Sequence, residues 1–201
     1  MSEKKVLKNL VERKQSDVLM LLELDDRIIF SGSIALNYHG IINRNISDID
    51  IEVSSKDIKS IIEKFKKKGF EFVSVKKDNE EYIPLEQATD EILSKITQTK
   101  CYIERKVAKF DPKHKKVITH IYILKIDIFC SENPGYEIHK FLGKDIKVCY
   151  PAKIFKAKKF YCETYEKKYT EDQLKYNQIY QKHKKDIESY NKWKYKKILT
   201  L

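Results

Sequence analysis

No apolar run in the 201-residue chain approaches the roughly 20 residues that a membrane span needs. The opening stretch MSEKKVLKNLVERKQ is polar and amphipathic, unlike the charged-then-apolar layout of a signal peptide. Cysteine is sparse. Cys101, Cys130, Cys149 and Cys162 include no CxxC pair, which sets aside a thiolate zinc site. These absences imply a cytoplasmic protein with reduced thiols. There is no internal repeat and no low-complexity linker. After Pro151 no further proline or glycine occurs, so helix is expected to the end of the chain.

Lys and Arg number 41 against 30 Asp and Glu, a formal charge of +11. A basic balance suits a polyanionic partner such as nucleic acid or a nucleotide. It equally suits a Lys-rich solvated surface, and charge alone does not choose. The excess is concentrated after Pro151, where 14 lysines face six acids. The length suits one domain with a small appendage. The expected division is 1–150 for the main domain, with its N-terminal helix, and 151–201 for a basic, Lys/Tyr-rich helical part.

Apolar spacing predicts a helix over 4–23, then a turn at Asp25-Asp26 and a short strand over 27–30. Ser31-Gly32-Ser33 breaks that strand, and a short helix over 34–39 follows, closed by Gly40. Residues 48–53 alternate, with Ile49, Ile51 and Val53 on one face and Asp48, Asp50 and Glu52 on the other. A helix capped by Ser54 or Ser55 carries the stripe Ile58, Ile61, Ile62 and Phe65, and ends at Gly69. Strands are expected at 70–75, 102–110, 116–129 and 146–150, with a turn at Asp111-Pro112. Residues 77–100 are less clear, and a helix is expected near 86–96.

Asp48 and Asp50, at i and i+2 of a strand, point the same way. Two like charges so close are costly unless a cation sits between them. Hard oxygen ligands suit Mg²⁺ or Mn²⁺. Asp127 has a similar setting, flanked by Ile126 and Ile128. Three carboxylates on adjacent strands can hold two ions about 3.5–4 Å apart. Upstream, Gly32 lets backbone approach a phosphate closely. Ser33 adds a hydroxyl, and the start of the following helix favours an anion.

Gly32-Ser33, then Asp48-Ile49-Asp50-Ile51, then Asp127 resemble the signature of the DNA polymerase β-type nucleotidyltransferase superfamily. The local form GSIALNYHG…R…SDIDI is similar to minimal nucleotidyltransferases of type IV toxin–antitoxin and abortive-infection systems. Arg44 matches an Arg common before the acidic pair in that branch. IKVCYPAKIFKAKKFY matches a later strand, Pro and Lys-bearing helix, with Lys158 in the Lys position. The resemblance covers about residues 27–53 and 117–165. The 14 residues between Ser33 and Asp48 are long for the superfamily and place an insertion around 41–45.

The resemblance implies an α+β, polymerase β-like fold, with a mixed sheet flanked by helices and a C-terminal helical part. It implies transfer of a nucleoside monophosphate from an NTP to a hydroxyl. Asp48, Asp50 and Asp127 would hold two Mg²⁺ or Mn²⁺ ions, while Gly32, Ser33, Arg44 and Lys158 would contact phosphates. An RNA end such as that of tRNA is the leading acceptor, and a protein hydroxyl is the alternative, as in AMPylation. A nucleotide- or RNA-binding module that keeps the fold without the chemistry is a third reading.

Each residue also has a plainer reading. Asp48, Asp50 and Asp127 could face solvent on an antiparallel strand. Gly32-Ser33 could be an ordinary turn, and Arg44 and Lys158 could be surface charges. His39 reads as structural, and Glu52 as a neighbour of the acidic face. Asp111, a rival third acid, reads as a turn residue before Pro112. Tyr161, Tyr165 and Tyr169 read as a helix packing face ahead of a base-stacking platform. The closing KHKKDIESYNKWKYKK suits either phosphate contacts or a solvated helix.

Overall fold

Period-two alternation builds the strands and three-to-four spacing builds the helices. The computed structural model describes residues 12–46, 48–77, 82–89, 91–92 and 95–199. The first elements are α1 (Glu12–Leu24), β1 (Ile29–Phe30), α2 (Gly32–Tyr38), β2 (Ile49–Ser54) and α3 (Ile58–Lys67). Next come β3 (Glu71–Lys77), β4 (Ile83–Pro84), a 3-10 turn (Leu85–Gln87), β5 (Ile96–Asp111) and β6 (Lys116–Ser131). The chain ends with β7 (Tyr136–Phe141), β8 (Lys144–Cys149), α4 (Pro151–Lys168), α5 (Glu171–Tyr176) and α6 (Gln178–Leu199).

The chain divides into two compact units. A sheet unit holds residues 12–29 and 48–134, and a helical unit holds residues 30–46 and 135–199. Within the described residues, β1 marks the point where the chain first passes from the sheet unit to the helical unit.

In the sheet unit the strands run in the order β4-β3-β5-β6-β2. The sheet is mixed: β2 is parallel to β6, while β5 is antiparallel to both β3 and β6. Ile49, Ile51 and Val53 pack beside Leu124, Ile126 and Ile128, each at most 1% exposed. α3 adds Ile58, Ile61, Ile62 and Phe65, and the Phe65 ring meets Phe70 at 4.8 Å between centroids. α1 packs on the same apolar face, where Tyr122 donates to Asp17 at 2.7 Å. This is an α+β architecture with a mixed sheet and helices against it.

One buried carboxylate ties this unit together. The Asp25 side chain is fully buried and accepts from the Arg27 backbone N–H and Nε, both at 2.9 Å, and from Nη2 at 2.7 Å. Lys64 of α3 reaches it at 2.8 Å, and Arg27 turns its Nη1 to Asp57 at 2.6 Å. These cations hold the Asp25 carboxyl well below the usual carboxylate range, against the opposing push of burial.

Several boundaries differ from the sequence reading. The expected helix over 4–23 is described only from Glu12, and its first part lies outside the described residues. α2 begins at Gly32, so Gly32 and Ser33 form its first turn. α3 is entered through Asp57, not Ser54 or Ser55, because Ser54 is still in β2. Of the helix expected near 86–96, the described residues show a 3-10 turn at Leu85–Gln87 and helical residues Glu91 and Ile92, and strand β5 begins at Ile96. The β-branched run Ile96-Thr97 and Thr99 favours a strand there. Asp111 accepts from the backbone N–H groups of Lys113 and His114 and pairs with the His114 ring at 2.7 Å, so it closes the β5–β6 turn.

In the helical unit β7 and β8 form a hairpin across Leu142 and Gly143, both with positive φ, at 49° and 81°. Two positive φ values match the tight turn that suits strand twist. α4 and α6 meet through Cys162 and Tyr180, with Leu174 of α5 alongside. Tyr165 and Tyr169 pack against that cluster, their rings stacked 5.5 Å apart. The tyrosine ladder is therefore a packing face at these two positions.

Replacing Asp25 by Ala should cost roughly 1.5–3 kcal/mol, the range for hydrogen bonds to charged groups. Denaturant unfolding checks this. Because its folded pKa is depressed, the Asp25 contribution is present above the unfolded value near 3.8 and is lost as pH falls through the lower folded value. The Ala variant should thus lose part of the wild-type acid sensitivity of stability below about pH 4.

Candidate functional site

The parallel pairing of β2 and β6 decides where the acids go. Its register sets Ile49 beside Ile126, Asp50 beside Asp127 and Ile51 beside Ile128. Paired residues share a face, so the isoleucines enter the core while Asp50 and Asp127 stand side by side on the other surface. Strand spacing puts their backbones about 4.8 Å apart. Asp48 lies just ahead of β2 and is exposed, while Asp50 is partly buried. Glu52, two residues further along, is only 3% exposed.

The row continues onto β5. Lys100 pairs in register with Asp127, and its Nζ lies 3.8 Å from the Asp127 carboxylate and 4.8 Å from the centre of the Tyr82 ring. Burial pushes the Asp127 carboxyl up, Lys100 pulls it down, and Asp48 pushes it up again; the upward influences prevail. A carboxylate in that position gains from a cation. The donor set is all oxygen, which fits a hard divalent ion.

The remaining expected residues meet in the helical unit. Gly32 has φ of +53°, in the left-handed region that favours glycine. Ser33 is buried, and its Oγ accepts from Arg44 Nη2 at 3.1 Å. The same Arg44 nitrogen donates to Asp186 at 3.1 Å, and Lys158 Nζ reaches the same Asp186 oxygen at 3.1 Å. Asp186 is 3% exposed and Lys158 7%. Lys158 also donates to His183 Nδ1 at 3.2 Å, which leaves that imidazole as the acceptor. Burial first, and Lys158 second, lower the His183 pKa to about 4. Two cations thus converge on one carboxylate, leaving one net positive charge beside Ser33.

Asp186, His183 and Lys100 did not stand out in the sequence. The available signal for the first two is the stripe Tyr180, His183, Asp186 and Tyr190 in a Lys-rich helix, where one of its two acids takes a core-facing position. For Lys100 it is the alternation of β5.

No family model matches the chain, and no curated protein matches it. Two solved structures from Helicobacter pylori are similar to it at 17% identity. One is JHP933, with a TM-score of 0.36, covering 79% of this chain and 57% of that one. The other is described as a "putative nucleotidyltransferase", with a TM-score of 0.39, covering 79% of this chain and 59% of that one. The chain therefore spans less than two thirds of either. Among the described residues no helix is long and apolar enough to cross a membrane.

Two titrations test these electrostatics. Lys100→Met should raise the Asp127 pKa further and Asp48→Asn should lower it, as read by carboxyl ¹³C NMR. His183 binds its proton less readily folded than unfolded, so its contribution to stability is full above 6.5 and is lost as pH falls from 6.5 toward about 4. His183→Gln should flatten the pH dependence of stability in that window.

Proposed function

We propose that the chain is a metal-dependent nucleotidyltransferase of polymerase β type. The observation that supports this most directly is the in-register pairing of Asp50 with Asp127 on the polar face of β2 and β6. Asp48, Asp50 and Asp127 would hold the divalent ions, Mg²⁺ or Mn²⁺. Such ions supply Lewis acidity, lowering the pKa of the acceptor hydroxyl and neutralising phosphate charge.

The chain's own residues account for the rest. Gly32 allows close approach of backbone to a phosphate, and Ser33 contacts it through a hydroxyl that Arg44 orients. Arg44 and Lys158 supply positive charge that Asp186 only half neutralises. In the reaction the acceptor oxygen forms a bond to the α-phosphorus of the NTP. The bond from that phosphorus to the bridging β-oxygen breaks, pyrophosphate leaves, and the acceptor proton passes to solvent. An RNA end is the acceptor we favour, because 14 of the lysines lie after Pro151 against six acids there.

A second reading keeps binding without transfer. It is favoured by Lys100, whose ammonium already sits 3.8 Å from Asp127.

The test is incubation of the full chain with each α-labelled NTP, Mg²⁺ or Mn²⁺, and either RNA or lysate protein. Label should enter RNA and fall to background in Asp50→Asn and Asp127→Asn. Label in a protein band would reassign the acceptor. Metal-dependent nucleotide binding without label in either would favour the second reading.

A further inference from the structure

A second cluster of possible ligands lies within the helical unit and takes no part in the chemistry above. His39 closes α2 and is followed by Gly40, with φ of +72°. Glu137 and His139 are i and i+2 on β7, so they share a face with Phe141, which is fully buried. One ligand atom from each of His39, Glu137 and His139 lies within 4.8 Å of the other two.

The atoms are set out as donors to a shared ion. The His39 ring is 6% exposed, and its Nε2 lies 3.1 Å from the Cys149 carbonyl oxygen. A carbonyl only accepts, so Nε2 carries the hydrogen and Nδ1 keeps a lone pair. That lone-pair nitrogen lies 3.9 Å from Glu137 Oε2. Metal-bound imidazoles are held in this way, with the second nitrogen donating to backbone or carboxylate.

His139 Nε2 is buried with no hydrogen-bond partner among the described residues, and it lies 3.6 Å from the same Glu137 oxygen. Both gaps exceed hydrogen-bond length. They lie near the separation of about 3.4 Å between ligand atoms placed tetrahedrally around an ion with bonds of about 2.0–2.1 Å. The two rings meet edge to face at 5.4 Å, and Tyr38, 5.3 Å from His139, donates to the Lys140 carbonyl at 3.3 Å. Burial lowers both imidazole pKa values, which keeps the rings in the form that coordinates metal.

We infer that His39, Glu137 and His139 form a His₂Glu site for a divalent transition-metal ion, Zn²⁺ by its donor chemistry. Two imidazoles and one carboxylate suit Zn²⁺, whereas the all-oxygen aspartate face suits Mg²⁺. Glu137 is half exposed, which leaves room for water in the fourth position. The bound ion would staple the end of α2, and so the Gly32-Ser33 turn that begins it, to the β7–β8 hairpin. The inference stands whether or not the chain transfers nucleotides.

The experiment is a Zn²⁺ titration of the chelator-treated full chain, followed by ¹⁵N NMR of its five histidine rings. His39 and His139 should shift and saturate at one equivalent, while His114, His120 and His183 stay in place. Glu137→Gln should weaken Zn²⁺ binding at least about tenfold, since losing even an outer partner of a ligand costs 10–100-fold. Asp50→Asn and Asp127→Asn should leave it unchanged. Silence at His39 and His139, or a response confined to the other three rings, overturns the site. So does Zn²⁺ binding that follows the aspartates.

Discussion

The parallel register between β2 and β6 is the constraint on which the sheet unit depends. Because side chains alternate with a period of two, one pairing fixes both surfaces at once. Ile49 and Ile51 can enter the core beside Ile126 and Ile128 only if Asp50 stands beside Asp127. A slip of one residue would bury two carboxylates and expose the isoleucines. The burial that stabilises the sheet therefore also enforces the meeting of like charges on its other face. The core keeps that arrangement in place while burial, with a smaller push from Asp48, raises the Asp127 pKa against the pull of Lys100.

Elsewhere the chain handles buried charge by placing single carboxylates between cations. Asp25 accepts from Arg27 and Lys64, and Asp186 accepts from Arg44 and Lys158. Both acids are 3% exposed. Removing either acid would strand cations that were placed around it. The difference is in the surroundings. Asp25 joins the end of α1 to α3 through Arg27 and Lys64, whereas Asp186 draws together three residues singled out by motif: Arg44 and Lys158 directly, and Ser33 through Arg44.

The strongest periodic segments were legible in the sequence, for definite physical reasons. Ile49, Ile51 and Val53 alternate strictly, so the acidic face of β2 could be read directly. The α3 stripe was equally plain. β7 was not, because its exposed face carries Tyr136 and Ile138 and so lacks the usual polar-out pattern. Asp186 was hidden because it follows the lysine-rich run Lys182 to Lys185, and its burial follows from packing against α4. His39 and His139 are a hundred positions apart, and only the hairpin brings them together. The division at Pro151 follows a change in composition, whereas the compact units follow contacts, so the helical unit includes α2, β7 and β8 as well.

The β2–β6 pairing also has a temporal side. Ile49 and its partner Ile126 are 77 positions apart along the chain. Pairing over such a separation pays its loop-closure entropy before it gains any contact, and it slows folding. The α3 helix and the β5–β6 hairpin can form from nearby residues, but the acidic pair cannot. During synthesis Asp48 and Asp50 emerge long before Asp127, so a chain stopped ahead of β6 lacks the third carboxylate. A cation that recognises the pair binds only the closed register, and by mass action it would favour the finished fold over every earlier form.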